Sequence, residues 1–279
     1  MKKIGLLGIV FISIFCQCFI INCVFAEDSK KGDAMENDEK KLPIDGEVFT
    51  VKDNECFLIM PDEKTSGKKI PWVWYAPTLP GLPGVEEKWM FEHFLGAGIA
   101  IAGMDVGESF GNPESRALFS AFHDELAKNR GLSKKPCLLV RSRGGLMLYN
   151  WAAEHPESVT CIAGIYPVCN LNSYPGIKIA SQAYGMTEDQ LNANLKEHNP
   201  IDRLKGLAEN RVPIFHIHGD SDTVVPLEDN SGEVQKRYNK FGGKMTLVVP
   251  KEQGHNMWVG FFQCQELVDF VIAHAKSKE

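Results

Sequence analysis

The sequence has no Cys-x-x-Cys pair and no histidine-rich spacing, so the usual signatures of a metal site are missing. No metal and no cofactor is expected. Positive charge is short: 30 Lys and Arg stand against 36 Asp and Glu, a net charge of −6. That balance favours solubility and argues against nucleic acid or an anionic membrane as a partner. No internal repeat is visible, and nothing marks a second domain. Cysteine is sparse in the body of the chain. Cys16, Cys18 and Cys23 fall within the first 26 residues, leaving Cys56, Cys137, Cys161, Cys169 and Cys264. Five is odd, so at least one stays unpaired in a monomer. Cys137 and Cys161 lie in apolar runs and read as small core residues. One disulfide stays open, with no basis for choosing its pair or for reading an oligomeric state.

What is present starts at the N-terminus. Met1-Lys2-Lys3, an apolar run from Ile4 to Val24 and the exit Val24-Phe25-Ala26 describe a secretory signal peptide. Cleavage is expected after Ala26, giving a secreted or periplasmic protein with no stable membrane association. The rival is an uncleaved anchor, since the run could just span a bilayer. Residues 27–43 are mostly charged or small and are expected to form a flexible linker. The folded domain is expected from 44 to 279.

Within it, apolar runs alternate with helical patterns. Glu47–Val51 and Cys56–Met60 read as a hairpin. Further strands are expected at 70–76, 99–103, 136–141, 159–165, 212–218 and 245–249. Helices are expected at 85–95, from Asn112-Pro113-Glu114 to about 130, from Leu146 to Ala153, from the capping box at Thr187 to about 197, and at 259–275. This order implies an α/β fold with a mostly parallel sheet covered by helices on both faces. Tyr166 to Met186 is irregular and is a candidate cap.

One segment carries chemistry. In Leu138-Leu139-Val140-Arg141-Ser142-Arg143-Gly144-Gly145, a serine stands between a buried strand and a helix with glycine two residues on, the setting of a nucleophile elbow. A serine hydroxyl needs a base, and the base needs an orienting carboxylate. The base candidate is His255, in Gly254-His255 after the last strand. The acid candidate is Asp222, in His218-Gly219-Asp220-Ser221-Asp222-Thr223-Val224-Val225-Pro226; Asp220 competes, its other role being to bond turn amides. His216 and His218 suit core packing or hydrogen bonding behind the reacting groups; His93, His123, His198 and His274 read as mostly solvated. For the oxyanion, the Arg143 N–H is one donor, and Ala76 or Thr78 the second, since Pro77 has no N–H. Arg143 could instead hold an anionic group with its guanidinium, or pair with an acid. Arg141 is expected to brace the elbow against Asp105 or Glu108. Tyr75, Asp105 and Glu108 are candidates for contacting substrate.

The Ser142 elbow, the His-Gly-Asp-Ser-Asp-Thr-Val-Val-Pro run, Gly254-His255 and Asn199-Pro200-Ile201-Asp202 together resemble the α/β-hydrolase superfamily, nearest to the prolyl-oligopeptidase catalytic-domain and acyl-esterase branch. The resemblance spans about 44 to 275. It implies the α/β-hydrolase fold and a triad of Ser142, Asp222 and His255 in that chain order. Two positions depart from the pattern: Val140 replaces the first glycine of G-x-S-x-G and is expected to crowd the elbow, and Ala76-Pro77-Thr78 replaces the usual His-Gly. Arginine after the serine is also similar to glucuronoyl esterases, although Leu146 stands where they carry lysine. The main expectation is an exported carboxylic-ester hydrolase acting through an acyl-enzyme on a small or carbohydrate-linked ester. The alternatives are a prolyl-oligopeptidase-like peptidase and a non-catalytic binding protein.

Overall fold

A computed structural model describes residues 40–62 and 69–277. The expected signal peptide and most of the linker lie outside the described residues. In chain order the elements are β1 (Glu47–Val51), β2 (Asn54–Ile59), β3 (Trp72–Ala76), α1 (Lys88–Gly96), β4 (Ala100–Met104), α2 (Pro113–Asn129), β5 (Cys137–Arg141), α3 (Gly144–Glu154), β6 (Cys161–Ile165), α4 (Ile177–Ala183), α5 (Glu188–Ala193), α6 (Leu195–His198), α7 (Lys205–Glu209), β7 (Ile214–Ile217), α8 (Glu233–Lys240), β8 (Met245–Val248), α9 (Val259–Phe262) and α10 (Gln265–Ala275).

The strands form one sheet in the order β1-β2-β4-β3-β5-β6-β7-β8. The pairs β1–β2 and β2–β4 are antiparallel, and β4–β3, β3–β5, β5–β6, β6–β7 and β7–β8 are parallel. Because β4 lies on one side of β3 and β5 on the other, chain connections diverge there. The crevice beyond the C-terminal ends of β3 and β5 is where such sheets hold their sites.

Alternation along the strands divides the core. Trp72, Trp74, Leu138, Val140, Ile162 and Ile214 pack on one face with Phe119, Phe122, Leu148 and Trp151 of α2 and α3. Val73, Tyr75, Leu139, Ala163, Phe215 and Ile217 pack on the other with Met90, Phe91, Phe94, Leu267 and Val271 of α1 and α10. Burial on both faces is why these strands read as continuous apolar runs. A third cluster joins Phe110, Leu146 and Val225 to Val168, Leu171, Ala180, Tyr184 and Leu191. The region expected to be irregular is thus a small helical cap seated over the start of α3.

Several boundaries differ from expectation. The domain begins by Lys40: its Nζ donates to the Leu79 carbonyl at 2.8 Å and pairs with Glu55 at 3.3 Å, while Leu42 packs on the core. Residues 40–43 are therefore not linker. The hairpin turns at Lys52-Asp53, both at positive φ, which lengthens β2 by two residues at its start. The closing helix is broken, because Cys264 is extended (φ −73°, ψ 99°). Phe261 and Phe262 then pack against Tyr166, while α10 lies on the sheet. His198 is buried, against Arg116 and Tyr184, rather than solvated. The five cysteines are all free thiols.

Candidate active site

β5 leads directly into Ser142, which has φ +49°. A left-handed conformation is costly for a non-glycine residue. It is held here by three backbone bonds: Ser142 N–H to Ile165 O (3.0 Å), and Gly145 and Val168 N–H to Ser142 O (3.0 and 2.8 Å). The glycines that follow are required by space. A Cβ on Gly144 would lie 2.1 Å from the Ala76 carbonyl oxygen, and one on Gly145 would lie 2.3 Å from that of Val168. Val140 does not crowd the turn. It points into the core, flanked in register by Ala76 and Gly164, and their small size makes its room.

The acid and base loops follow β7 and β8, and the backbone joins them. Asp220 N–H donates to Pro250 O, Ser221 N–H to Gln253 O, and Glu252 N–H to Asp220 Oδ1. Gly219 permits this, since a Cβ there would meet Gln253 O at 2.1 Å. Asp220 thus orders the loop, and Asp222 turns inward. Ser142 Oγ lies 2.9 Å from His255 Nε2, and His255 Nδ1 lies 2.7 Å from Asp222 Oδ2. Asp222 Oδ1 accepts the N–H groups of Val224 and Val225 at 3.0 and 2.8 Å. Burial pushes the Asp222 carboxyl up, but the hydrogen bonds from His218, His255 and the Val225 amide outweigh it and hold the group well below the usual carboxylate range. With the carboxylate on Nδ1, the imidazole presents a bare Nε2 to the serine, the tautomer needed for a general base. The Tyr166 ring lies 4.3 Å from that of His255. Burial raises its phenol to about 12, against the lowering effect of Arg141.

The other candidates are divided. Tyr75 does not face the site: it is fully buried, and its hydroxyl donates to Glu87 Oε1 at 2.9 Å. Odd positions of β3 face α1, which sends the ring beneath the sheet. Arg141 shares that face, so its partner is neither Asp105 nor Glu108 but the fully buried Glu87, at 2.6 Å. Arg141 also lies over the Phe262 ring and reaches Met257 Sδ at 3.1 Å. Glu87 escapes a sequence reading because it is 54 residues from Arg141 and looks like an ordinary helix-start acid.

Glu108 pairs with Arg143 instead, Oε1 to Nε at 2.9 Å, in an ion-pair contact without hydrogen-bond alignment. Both are partly exposed at the rim. Asp105 is spent locally, accepting the Gly107 N–H at 2.8 Å. Ala76 abuts the elbow through its carbonyl, and Thr78 is buried with its Oγ1 donating to Tyr75 O at 3.3 Å. Arg143 opens α3 in helical conformation, one residue past the serine. On the base side, Met257, Trp258 and Val259 are exposed apolar residues, as are Val85 and Val224. Leu146 is buried under the cap.

A carboxylate, an imidazole and a hydroxyl in series, at the mouth of a parallel sheet, can activate a serine for acyl transfer. The sequence profile of the prolyl oligopeptidase family matches residues 119–276. The chain belongs to that family. Membership accords with the α/β-hydrolase fold of the sheet described above. No curated protein matches it in sequence. Among solved structures it is similar to Pyrococcus horikoshii acylaminoacyl peptidase (16% identity, 84% of this chain and 42% of that chain, TM-score 0.65). It is also similar to Porphyromonas gingivalis dipeptidyl peptidase 4 (10%, 82% and 35%, 0.66) and to a puromycin-hydrolyzing peptidase of Mycobacterium tuberculosis (12%, 81% and 38%, 0.64). At these identities the likeness concerns the fold. The chain spans roughly two-fifths of the length of each of these proteins.

Proposed function

We propose that the protein is an exported serine hydrolase that cleaves peptide or other acyl-amino bonds, with Ser142 as nucleophile, His255 as general base and Asp222 as the orienting acid. The observation that carries it is the continuous series Ser142–His255–Asp222 in a member of the prolyl oligopeptidase family. That membership favours the peptidase reading over the ester hydrolase expected from sequence. Ser142 Oγ attacks the carbonyl carbon as its proton passes to His255 Nε2. The tetrahedral oxyanion is held by the Arg143 N–H and by Ala76 or Thr78. His255 then protonates the leaving amine, and water, activated by the same imidazole, releases the acyl group. The apolar rim at Met257, Trp258 and Val259 offers contact for an uncharged side chain. Export rests on the pattern of residues 1–26.

One feature favours ester hydrolysis as a second reading. Arg143 stands at the rim next to Ser142, where its guanidinium can meet the anionic oxygen of the transition state or a free carboxylate elsewhere on the substrate. A fluorophosphonate probe tests the nucleophile: wild-type protein is expected to label and Ser142→Ala is not. Turnover of peptidyl and aminoacyl 4-nitroanilides, set against acetyl, methyl and uronate esters, decides the bond. Ester turnover with no anilide cleavage would reverse the order of the two readings. An unlabelled, folded wild-type protein would remove both and leave a binding role.

A further inference from the structure

Behind Asp222 a chain of buried polar groups runs into the core, and the mechanism above uses none of it. Tyr149 OH lies 2.8 Å from His216 Nε2, and His216 Nδ1 lies 2.9 Å from Ser231 Oγ. Ser231 Oγ lies 2.8 Å from His218 Nδ1. His218 Nε2 lies 2.8 Å from the Val225 carbonyl and 3.3 Å from Asp222 Oδ2. His216, His218 and Ser231 have no solvent exposure.

The direction of every proton in this chain follows from its last link. Val225 O and the Asp222 carboxylate can only accept, so His218 Nε2 carries hydrogen. Neutral His218 then has a bare Nδ1, which must accept the Ser231 hydroxyl proton. Ser231 Oγ in turn accepts His216 Nδ1–H. Burial pushes the His216 imidazole down to about 3, so it is neutral, and its bare Nε2 accepts the Tyr149 hydroxyl. A cationic His218 would reverse the chain, with Ser231 donating to His216 Nδ1 and His216 Nε2–H to Tyr149, and would leave the buried Tyr149 proton with no acceptor among the described residues. The chain is therefore a one-way series of donors ending on the Val225 carbonyl, with the triad carboxylate 3.3 Å from the same Nε2, the arrangement in which each bond polarises the next.

Backbone features keep the space. Gly164 lies opposite His216 in register, where a Cβ would come within 2.5 Å of the ring. Ser231 sits in the turn Glu228–Gly232, and its neighbour Asn230 anchors that turn by accepting the N–H groups of Cys169 and Asn170 at 2.8 and 3.1 Å.

We propose that His218 is a second imidazole on the Asp222 carboxylate, a positioning residue whose Nε2–H holds Oδ2 in line with His255, and that Tyr149, His216 and Ser231 lock it in that tautomer. Asp222 then has the Val224 and Val225 amides bonded to Oδ1, His255 bonded to Oδ2, and His218 Nε2–H, shared with the Val225 carbonyl, in a longer contact with Oδ2 at 3.3 Å. The proposal rests on the triad reading.

Two measurements test it. The first compares His218→Gln, whose amide nitrogen can donate from the place of Nε2, with the apolar His218→Leu. Each is followed by its fluorophosphonate labelling rate at Ser142 and by kcat and KM for 4-nitrophenyl acetate. Leucine is expected to lower kcat and the labelling rate about tenfold, the effect of one hydrogen bond to a charged group, with KM little changed. Glutamine is expected to restore most of the loss. Equal loss in both variants, or none in either, overturns the proposal. The second uses imidazole 15N spectra of the wild-type protein, assigned with His216→Gln and Ser231→Ala, and does not depend on the leucine variant folding. Protons on Nε2 of His218 and Nδ1 of His216 are expected; any other pattern overturns it. Absence of labelling in the wild type would count against the triad, whereas a labelled wild type with an unaffected leucine variant would count against His218 alone.

Discussion

Arg141 and Arg143 stand one residue either side of Ser142, yet they meet opposite surroundings. Arg141 points below the sheet to a carboxylate with no solvent exposure, in a pocket closed by Tyr75, Phe262 and Met257. Arg143 points to the rim and meets Glu108, which is 48% exposed. The reason is the period of the strand: Arg141 is the last residue of β5 and faces α1 and α10, while Arg143 lies past the turn and begins α3. The same contrast runs through the site. Its acid side is dry and hydrogen-bonded throughout, from Asp222 back to Tyr149, whereas its substrate side is open. A buried pair is costly to break because one charge is left without a partner, and an exposed pair contributes little.

The comparison is broken most directly by Arg141→Leu. Stranding the Glu87 carboxylate is expected to cost about 3–5 kcal/mol in chemical unfolding. The double change Arg141→Met with Glu87→Leu should recover most of it, and a single variant with unchanged stability would show that the pocket is not sealed. Gly144→Ala comes next. Its Cβ would collide with the Ala76 backbone, and a shift of the serine by about 1 Å is expected to cost about 100-fold in kcat/KM, read with whichever substrate class turns over.

Acid should distinguish the two halves. Burial pushes the His216 imidazole down to about 3 in the folded protein, against about 6.5 unfolded. The unfolded chain takes the proton first, so the contribution is fully present above about pH 6.5 and is lost as pH falls towards 3. Stability is expected to decline by up to about 1.4 kcal/mol per pH unit in that window. His216→Gln should flatten the decline, and equal slopes in both proteins would contradict the dry reading. The smallest effect belongs to the rim. Glu108→Gln is expected to change stability by less than about 1 kcal/mol, and Arg143→Lys to leave melting unchanged while altering the preference between neutral and anionic esters. If that preference does not move, Arg143 takes no part in selecting substrate.

Much of this architecture was legible in the chain. Apolar runs of strand length, punctuated by Gly98, Gly131 and the Asn112-Pro113 cap, are local signals, and they appear as β4, β5 and α2. Ser142, Asp222 and His255 meet because each follows a strand, and strand ends of a parallel sheet share one edge. Tyr75 is buried beneath the sheet instead of lining the site, because nearness to that edge does not say which face a side chain takes. The partner of Arg141, Glu87, is not legible in the sequence because it comes from a distant segment packed beneath the sheet. Thr187 and Gln190 did form the expected capping box, a contact confined to one turn. The break at Cys264 was invisible, since the apolar pattern continues across it and only packing of Phe261 and Phe262 under Tyr166 requires the kink.

By itself, then, the sequence determined the order of the strands, the helices α1, α2 and α3 (but not α4, α7 or α8), the sharp serine turn and the three residues that meet there. All of these depend on local periodicity and on the common edge of a parallel sheet. The tertiary structure alone decided which arginine is buried, that His218 shares a carboxylate with His255, and that four residues from α3, β7 and the turn before α8 form one directed chain. Such pairings depend on which face each side chain takes and on what packs there. Segments far apart in sequence supply both, so no window of sequence contains them.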